Sequence, residues 1–225
     1  MTKVKLISYS QVPADAELNL ESAQDLIAYC ARVSNPANQI NSETSERLIK
    51  YLIEHKHWSP LEMVSACLEI NTTRDIAHQI VRHRSFSFQE FSQRYAEPKE
   101  MGDMFVFRDA RLQDTKNRQN SIELGRTQQD MNLINDWESQ QHKVIQTSKE
   151  AYEWAIKNGI AKEQARAVLP EGLTKTRLYM NGTLRSWVHY IELRGDNGTQ
   201  KEHMEIAHAC AEVITQILPL TKDLY

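Results

Sequence analysis

Apolar residues along this chain recur with two different periods, and together these periods predict a protein of mixed α and β structure. Spacing of three and four residues is typical of a helix with one buried face, and it occurs over residues 22–31 and 44–55. Alternation at every second residue is typical of a half-buried strand, and it occurs over residues 4–9 and 63–70. We therefore expect helices and strands to be interspersed in the first part of the chain.

The second half of the chain is predicted to be mainly helical. A long helix is expected over 130–158, capped by Gly159, and it is followed by a short helix over 161–169, a strand over 173–180, and helices over 183–194 and 204–218. The polar segment 98–129 has no sustained period. It predicts an irregular, mobile connection, whose length indicates a lid, an insertion or an element that the pattern misses.

A cluster of cations follows one of the predicted helices. Thr72 and Asp75 have the spacing of a capping box, which predicts a helix over 72–84 with Ile76, Ala77, Ile80 and Val81 facing inward. Gln79, Arg82 and His83 would share another face, because residues three and four apart are neighbours on a helix. The helix is therefore expected to present these polar side chains rigidly near its carboxyl end.

Length and composition indicate a soluble enzyme-sized domain. The 225 residues are 40% hydrophobic and 25% charged, which is typical of a soluble globular protein and predicts a single domain over 1–225. No apolar run approaches the ~20 residues of a membrane helix. The first residues lack a secretory pattern, so we expect a cytoplasmic protein.

The three cysteines, Cys30, Cys67 and Cys210, are far apart and form no Cys-x-x-Cys pair. They predict reduced, buried thiols and neither a disulfide framework nor a zinc site. His203 and His208 are five residues apart and so do not stack on one helical face, and His55-x-His57 lacks further ligands. We predict no catalytic metal.

The segment from Arg82-His83-Arg84 to Arg94 concentrates positive charge in a chain whose net charge is -3. Arginine forks match phosphate oxygens in bidentate fashion, and histidine and serine add oriented hydrogen bonds. The segment therefore predicts a pocket for discrete phosphates. Ser92 lacks an adjacent base in the sequence, which favours a hydrogen-bonding role over that of a nucleophile.

Three other interpretations of this segment stay open from the residues alone. The triplet is also typical of a solvated cap that complements a helix dipole. A module that binds RNA or single strands would stack bases on aromatic side chains among the cations, and the available rings are Phe86, Phe88, Phe91 and Tyr95. A structural assembly protein would use the basic cluster only to join subunits.

Arg82-His83-Arg84, seven further residues and then Ser92 resemble the signature of the flavin-dependent thymidylate synthases. Ordered matches surround it and extend the resemblance over the greater part of the chain: Cys30-Ala31-Arg32-Val33-Ser34, His57-x-Ser59-Pro60-Leu61-Glu62, Arg166-x-Val168-Leu169-Pro170 and the run from Gly182 to Arg194. Segment 98–129 matches least. The chain departs from the family at Leu61 and Met63, where phenylalanine and histidine are more frequent, and at Thr183, where asparagine is frequent.

The resemblance implies a reductive methylation that converts dUMP into dTMP. Methylenetetrahydrofolate gives the carbon, FAD carries the hydride and NADPH recharges the flavin. It also implies an α/β (α+β) subunit with a mixed sheet flanked by helices, in a homotetramer whose active sites draw on several subunits. Neither nucleic acid nor membrane is implied as a partner.

Roles follow for the residues that match the family's motifs. Arg194 is implied as the catalytic residue, which polarises the uracil ring. The implied dUMP contacts are Gln79, Arg82, Glu90, Ser92, Gln93, Arg94, Arg166 and Arg194. The implied FAD contacts are Ser59, Arg82, His83, Arg84, Glu90, Thr183, Arg185 and His189, with Ser34 as a weaker candidate.

Overall fold

The computed structural model describes residues 3–13, 15–16, 18 and 20–224 of the chain. The fold is α+β, as predicted, and its main sheet has the strand order β1-β2-β6-β3. The strands are β1 (Lys3–Tyr9), β2 (Ser65–Thr73), β3 (Ser87–Glu90) and β6 (Lys175–Thr183). The resemblance implied a mixed sheet, but all pairs between these four strands are antiparallel.

Seven α-helices surround these strands in the described part of the chain. They are α1 (Ala23–Ala31), α2 (Ser45–Glu54), α3 (Arg74–Ile80), α4 (Gln128–Lys157), α5 (Lys162–Ala165), α6 (Leu184–Arg194) and α7 (Lys201–Ile214). Ser22 caps α1 by accepting a hydrogen bond from the Asp25 amide at 3.1 Å, as the sequence predicted. The predicted closing helix ends earlier than expected, at Ile214, and a separate 3-10 helix follows over Pro219–Leu224.

The hydrophobic core lies between one sheet face and the helices. Leu68 and Leu178 are fully buried on the central strands β2 and β6, and α6 covers them with Trp187 and Ile191. The indole N–H of Trp187 donates to the Ala66 carbonyl at 3.0 Å, so this large ring is fixed in a single orientation. The alternation predicted for 63–70 is confirmed, because the side chains of every second residue in this range face away from the core.

The cation segment differs most from its prediction. Helix α3 ends at Ile80, not near Arg84, and Val81 is 37% exposed where an inward position was expected. Thr72 belongs to β2, and the helix is preceded by Thr73, whose side chain makes no cap to the helix amides. The triplet therefore lies in a turn, and the residues after it form the short edge strand β3 beside β6.

The polar segment 98–129 contains an element that the pattern missed. Strands β4 (Arg111–Gln113) and β5 (Ser121–Glu123) form an antiparallel hairpin. Two ion pairs hold it to the start of α7, since Arg111 contacts Glu202 and Lys201 contacts Glu123 at 2.7 Å. The missed element that the length of the segment indicated is therefore present, and the residues around the hairpin have little regular structure.

Helix α4 begins with a capping box that the sequence analysis did not use. Thr127 accepts from the Asp130 amide, and the Asp130 side chain accepts in return from the Thr127 amide. The helix extends two residues before the predicted start, and Gly159 follows its end with a φ of 77°, a conformation that glycine adopts without strain.

Candidate active site

Two separated stretches of sequence meet at a cleft of about 390 Å³ beside α3. Gln79 comes from the last turn of α3, Arg82 from the turn that follows, and Arg194 from the last residue of α6. No carboxylate pairs with Arg82, Arg84 or Arg194 in the part of the chain that the structure describes. Their charges are therefore directed to solvent and to whatever enters the cleft.

Arg194 is oriented by a histidine of the triplet. Its Nε–H donates to Nε2 of His83 at 3.0 Å, which requires an unprotonated nitrogen on the imidazole. Burial, and then the charge of Arg194, lower the pKa of His83 to about 4. His83 is therefore neutral near pH 7 and accepts this hydrogen bond. His83, which the resemblance assigns to FAD, thus also orients Arg194, which the resemblance implies is catalytic.

The cleft is also lined by three residues that sequence reasoning did not single out as site residues. They are Asp75, His78 and Glu171. The Asp75 carboxylate is paired with Arg108 at 2.7 Å, and Glu171 lies 2.9 Å from Nδ1 of His78. The cleft thus contains more acid than expected, although Arg108 neutralises one of the two carboxylates.

A buried polar group lies behind the cleft. His203 is fully buried and Tyr190 is 1% exposed, with their Nε2 and hydroxyl oxygen 3.1 Å apart. Nδ1 of His203 lies 3.2 Å from Oε1 of Gln79. Tyr190 was part of the matched run, but His203 was considered only as a metal ligand, and no spacing in the sequence links it to Gln79.

The other implied substrate residues form a second cluster that does not line this cleft. Arg94 pairs with Glu163 at 3.3 Å, and Nε of Arg166 donates to the Glu163 carbonyl at 3.3 Å. Gln93 is 2% exposed, and its Nε2 is buried without a hydrogen-bond partner among the described residues. Ser92 starts the turn that leads to this cluster, and its carbonyl accepts from the amides of Tyr95 and Ala96.

Glu90 lies on β3 and is held by two neighbours. Oε1 of Glu90 accepts from the Thr176 hydroxyl at 2.8 Å and lies 3.4 Å from Nη1 of Arg74. Arg74 in turn is 3.4 Å from Nε2 of His78, which lines the cleft. Glu90 is thus connected to the cleft by contacts through Arg74 and His78.

Half of the eight residues that the resemblance assigns to FAD lie in the 3-10 helix Ser59–Met63, in α6 or at its N-cap, and the other half lie in the turn of the triplet and on β3. Arg185 pairs with Glu62, and His189 packs edge-on against Trp58 with ring centroids 4.4 Å apart. Ser34 lies apart from them, exposed in the turn after α1.

Thr183 occupies the N-cap of α6, where the family frequently has asparagine. Its hydroxyl oxygen accepts from the Ser186 amide at 3.3 Å, a role that an asparagine side chain also performs. The Ser186 hydroxyl donates to the Ser85 carbonyl at 3.3 Å. This contact brings the residue after the Arg-His-Arg triplet to the start of α6.

These side chains fit a flavin dinucleotide. A pyrophosphate requires cations and free N–H groups, and the isoalloxazine ring requires flat surfaces. Arg84 supplies an exposed guanidinium group, Arg185 supplies a partly exposed one that is paired with Glu62, and Trp58 and His189 supply rings near the same helix as Arg185. The donor set therefore matches the charge and shape of the group that the resemblance implies.

The aromatic residues of the cation segment do not form one exposed stacking surface. Phe86 is buried against Trp187 with ring centroids 4.8 Å apart, Phe88 is half-buried, and Tyr95 is 77% exposed. The single-strand-binding alternative required these rings to be available together, so the packing of Phe86 in the core weighs against it.

The cysteines were predicted to be reduced, buried thiols. Cys30, Cys67 and Cys210 are free, and burial raises the pKa of each thiol. Only Cys210 is fully buried, whereas Cys30 and Cys67 are half-buried.

Among the described residues, no group of three or more His, Cys, Asp or Glu is arranged to hold a metal ion. None of the described helices is both long and apolar enough to cross a membrane.

Comparison with known proteins gives concordant results. The family model described as thymidylate synthase complementing protein matches residues 17–220. A protein of Paramecium bursaria Chlorella virus 1 named "Probable flavin-dependent thymidylate synthase" is 48% identical over 215 residues, which cover 96% of this chain and 94% of the viral one. The flavin-dependent thymidylate synthase of Synechocystis sp. is 48% identical over 198 residues, covering 88% and 87% of the two chains.

Solved structures show the same fold at lower identity. The UMP/dUMP methylase PolB from Streptomyces cacaoi, bound with 5-Br dUMP, has a TM-score of 0.80 and 24% identity, covering all of this chain and 94% of that one. At this identity the likeness supports the fold alone. The family match and the two close relatives go further, and together they show that this chain belongs to the flavin-dependent thymidylate synthases.

Proposed function

We propose that this chain converts dUMP into dTMP by reductive methylation in de novo thymidylate synthesis, with methylenetetrahydrofolate as carbon donor, FAD as hydride carrier and NADPH as reductant. The observation that carries the proposal is the cleft shared by Gln79, Arg82 and Arg194. Guanidinium groups from two separate stretches of sequence converge there without carboxylate partners among the described residues, which supports binding of an anionic nucleotide.

Arg194 is proposed to activate the pyrimidine by electrostatics. C5 of uracil is a poor nucleophile, and a cation placed where negative charge develops around N3 and the C4 oxygen makes it more electron-rich. A guanidinium does not deprotonate near neutral pH, so Arg194 does not act as a general base. The hydrogen bond to neutral His83 supports this role, because it restricts the orientation of the guanidinium without cancelling its charge.

The chemistry that bound FAD supplies is hydride transfer to the carbon received from the folate. The chain's own residues bind and orient the cofactor. Guanidinium groups of Arg82, Arg84 and Arg185 are proposed to bind its phosphates, and the remaining contacts come from Ser59, His83, Glu90, Thr183 and His189. The Arg185–Glu62 pair must open or rearrange for Arg185 to reach a phosphate.

The second cluster is proposed to complete the site from another copy of the chain. Glu90, Ser92, Gln93, Arg94 and Arg166 are implied dUMP contacts, yet Arg94 and Arg166 gather around Glu163 and do not line the cleft of Arg194. A homotetramer of single-domain subunits, in which one subunit supplies the cleft and a neighbour supplies this cluster, reconciles the two observations.

The direct test uses the purified chain. We expect a yellow protein whose visible absorption bleaches with NADPH and which forms dTMP when dUMP and methylenetetrahydrofolate are both present. Omission of either substrate is the control. A colourless protein that binds arbitrary oligonucleotides in a salt-sensitive manner would support the single-strand-binding alternative instead. A stable assembly without affinity for nucleotide or flavin would support the purely structural one.

A further inference from the structure

Five side chains form a continuous hydrogen-bonded chain from the core to the surface at the substrate cleft. Tyr190, His203, Gln79, Gln200 and Glu202 are linked in this order, with donor–acceptor distances of 3.1, 3.2, 2.8 and 2.9 Å. Gln79 is the member that lines the cleft. The implied contacts of the family include Gln79, but nothing in the resemblance assigns a role to Tyr190, His203, Gln200 or Glu202.

The carboxylate at the outer end fixes the direction of every hydrogen bond. Burial alone would raise the pKa of Glu202, but the hydrogen bond from Arg111 and the charge of Arg108 lower it, so Glu202 is ionised and only accepts. The amide nitrogen of Gln200 must therefore face Glu202, which leaves the carbonyl oxygen of Gln200 to accept from Nε2 of Gln79.

The inner end of the chain agrees with this direction. Oε1 of Gln79 faces inward, so Nδ1 of His203 must carry the proton that it donates. Burial, and then the charge of Arg194, lower the pKa of His203 to about 3, so its other nitrogen has no proton. Nε2 of His203 consequently accepts from the Tyr190 hydroxyl, and each buried polar atom in the chain is satisfied.

We propose that Tyr190 and His203 are positioning residues that hold the Gln79 amide with its nitrogen toward the cleft, so that Gln79 recognises an acceptor oxygen of the bound nucleotide. An amide has two N–H groups, and the one not used by Gln200 is free for the ligand. Without the inner residues, the amide could turn over and present an oxygen. The inference rests on the proposed function, since the ligand is taken to be dUMP.

The first experiment compares Tyr190→Phe with Tyr152→Phe in the FAD-bound protein. Tyr152 is a matched control because it is also 1% exposed, and its hydroxyl has no hydrogen-bond partner among the described residues. We expect Tyr190→Phe to weaken dUMP binding, measured by calorimetry, by about three- to tenfold, whereas Tyr152→Phe binds as the wild type does. Equal dUMP affinity in all three proteins would overturn the proposal.

Two analogues identify which oxygen Gln79 recognises. If it is the C4 oxygen of uracil, Tyr190→Phe weakens deoxyuridine as well as dUMP, and the preference for dUMP over dCMP decreases, because dCMP has an amino group in place of this oxygen. If it is a phosphate oxygen, dUMP and dCMP weaken together and deoxyuridine is unaffected. Both patterns support a donor role for Gln79, and an increased preference for dUMP over dCMP in Tyr190→Phe contradicts it.

A spectroscopic measurement on the wild type does not depend on the variant folding. Nitrogen-15 NMR of histidine-labelled protein reports which imidazole nitrogen carries the proton, and we expect Nδ1 for His203. A proton on Nε2 would overturn the proposal whatever the binding data. A wild type that binds no dUMP would contradict the proposed function instead. In that case a proton on Nδ1 of His203 would still support the hydrogen-bonded chain, and a proton on Nε2 would reject it.

Discussion

The side chain of Arg194 combines a fixed orientation with an uncompensated charge. Its Nε–H donates to a neutral imidazole, and no carboxylate pairs with it among the described residues. An ion pair would have cancelled much of the field that the guanidinium exerts in the cleft, because two opposite charges in contact act as a dipole at a distance. The environment of Arg194 is therefore the one that electrostatic activation of a bound ring requires.

Replacing Arg194 with alanine is expected to remove most dTMP formation and leave the fold intact. Loss of a single fixed donor at the site of charge development lowers turnover by about a hundred- to a thousandfold in comparable cases. FAD content and melting temperature should stay near those of the wild type, because the side chain is not part of the core. Turnover is measured at saturating dUMP. Arg118→Ala, in the exposed hairpin, is the matched control, and near-normal turnover in Arg194→Ala would remove the electrostatic role.

Charged members of the site were predictable from the sequence, whereas buried ones were not. Arg82, Arg84 and Arg194 stand in recognisable motifs, and a cluster of arginines in a chain of negative net charge favours anion binding. His203 gives no such signal, because its function depends on the contact with Gln79, 124 residues away in sequence. A contact of this kind is determined by the packing of α7 against α3, which periodicity alone does not specify.

The junction between β6 and α6 is the element that aligns the cation segment with the core. Gly182 is the penultimate residue of β6 and lies beside Phe86, and a Cβ atom built on this glycine would lie 2.4 Å from the phenylalanine ring. The ring itself is 9% exposed and packs against Trp187, so it has little space in which to move. Glycine is thus required here for close approach rather than for backbone freedom.

Gly182→Ala is expected to destabilise the protein. Forcing a methyl group into a packed core costs ~1–3 kcal/mol, because neighbouring side chains must leave their preferred rotamers. The free energy of unfolding is measured by urea denaturation. Gly198→Ala is the matched control, since nothing lies within 4 Å of the added Cβ there. Equal stability of the two variants would show that Phe86 can move aside without cost.

Helix α3 and strand β3 explain why element boundaries in this region were predicted wrongly. The expected helix continued to Arg84 because Arg82 and His83 extend the polar spacing of Gln79, but a helix needs apolar positions to pack, and Val81 is exposed. Phe86 and Phe88 alternate with serines, and this period of two was the available signal for β3. Strong helical periodicity gave better boundaries, as in α4 and α6.

At the scale of the whole molecule, α4 indicates assembly. This helix of 30 residues buries only Gln141, Tyr152 and Ala155 within the described chain, and it leaves large apolar side chains exposed, with Trp154 at 62% and Trp137 at 42%. Exposed apolar surface of this extent is typical of protein–protein interfaces. It supports the proposed homotetramer, in which the cleft of one subunit meets the Arg94–Arg166 cluster of another.

Mixed assemblies of two inactive variants test whether sites are shared. Arg194→Ala and Arg166→Ala should each abolish most activity alone, but co-expression with two different tags and purification through both should restore it in part. If a site takes Arg194 from one subunit and Arg166 from another, about a quarter of the sites in a random mixture contain both native residues. Arg194→Ala mixed with Gln79→Ala is the control: these residues line one cleft of one chain, so no combination of subunits restores both. Only Arg194 and Arg166 are divided between the two clusters, so only the mixture of Arg194→Ala with Arg166→Ala should regain activity. If neither mixture regains activity, or both regain it equally, the site is not shared between subunits.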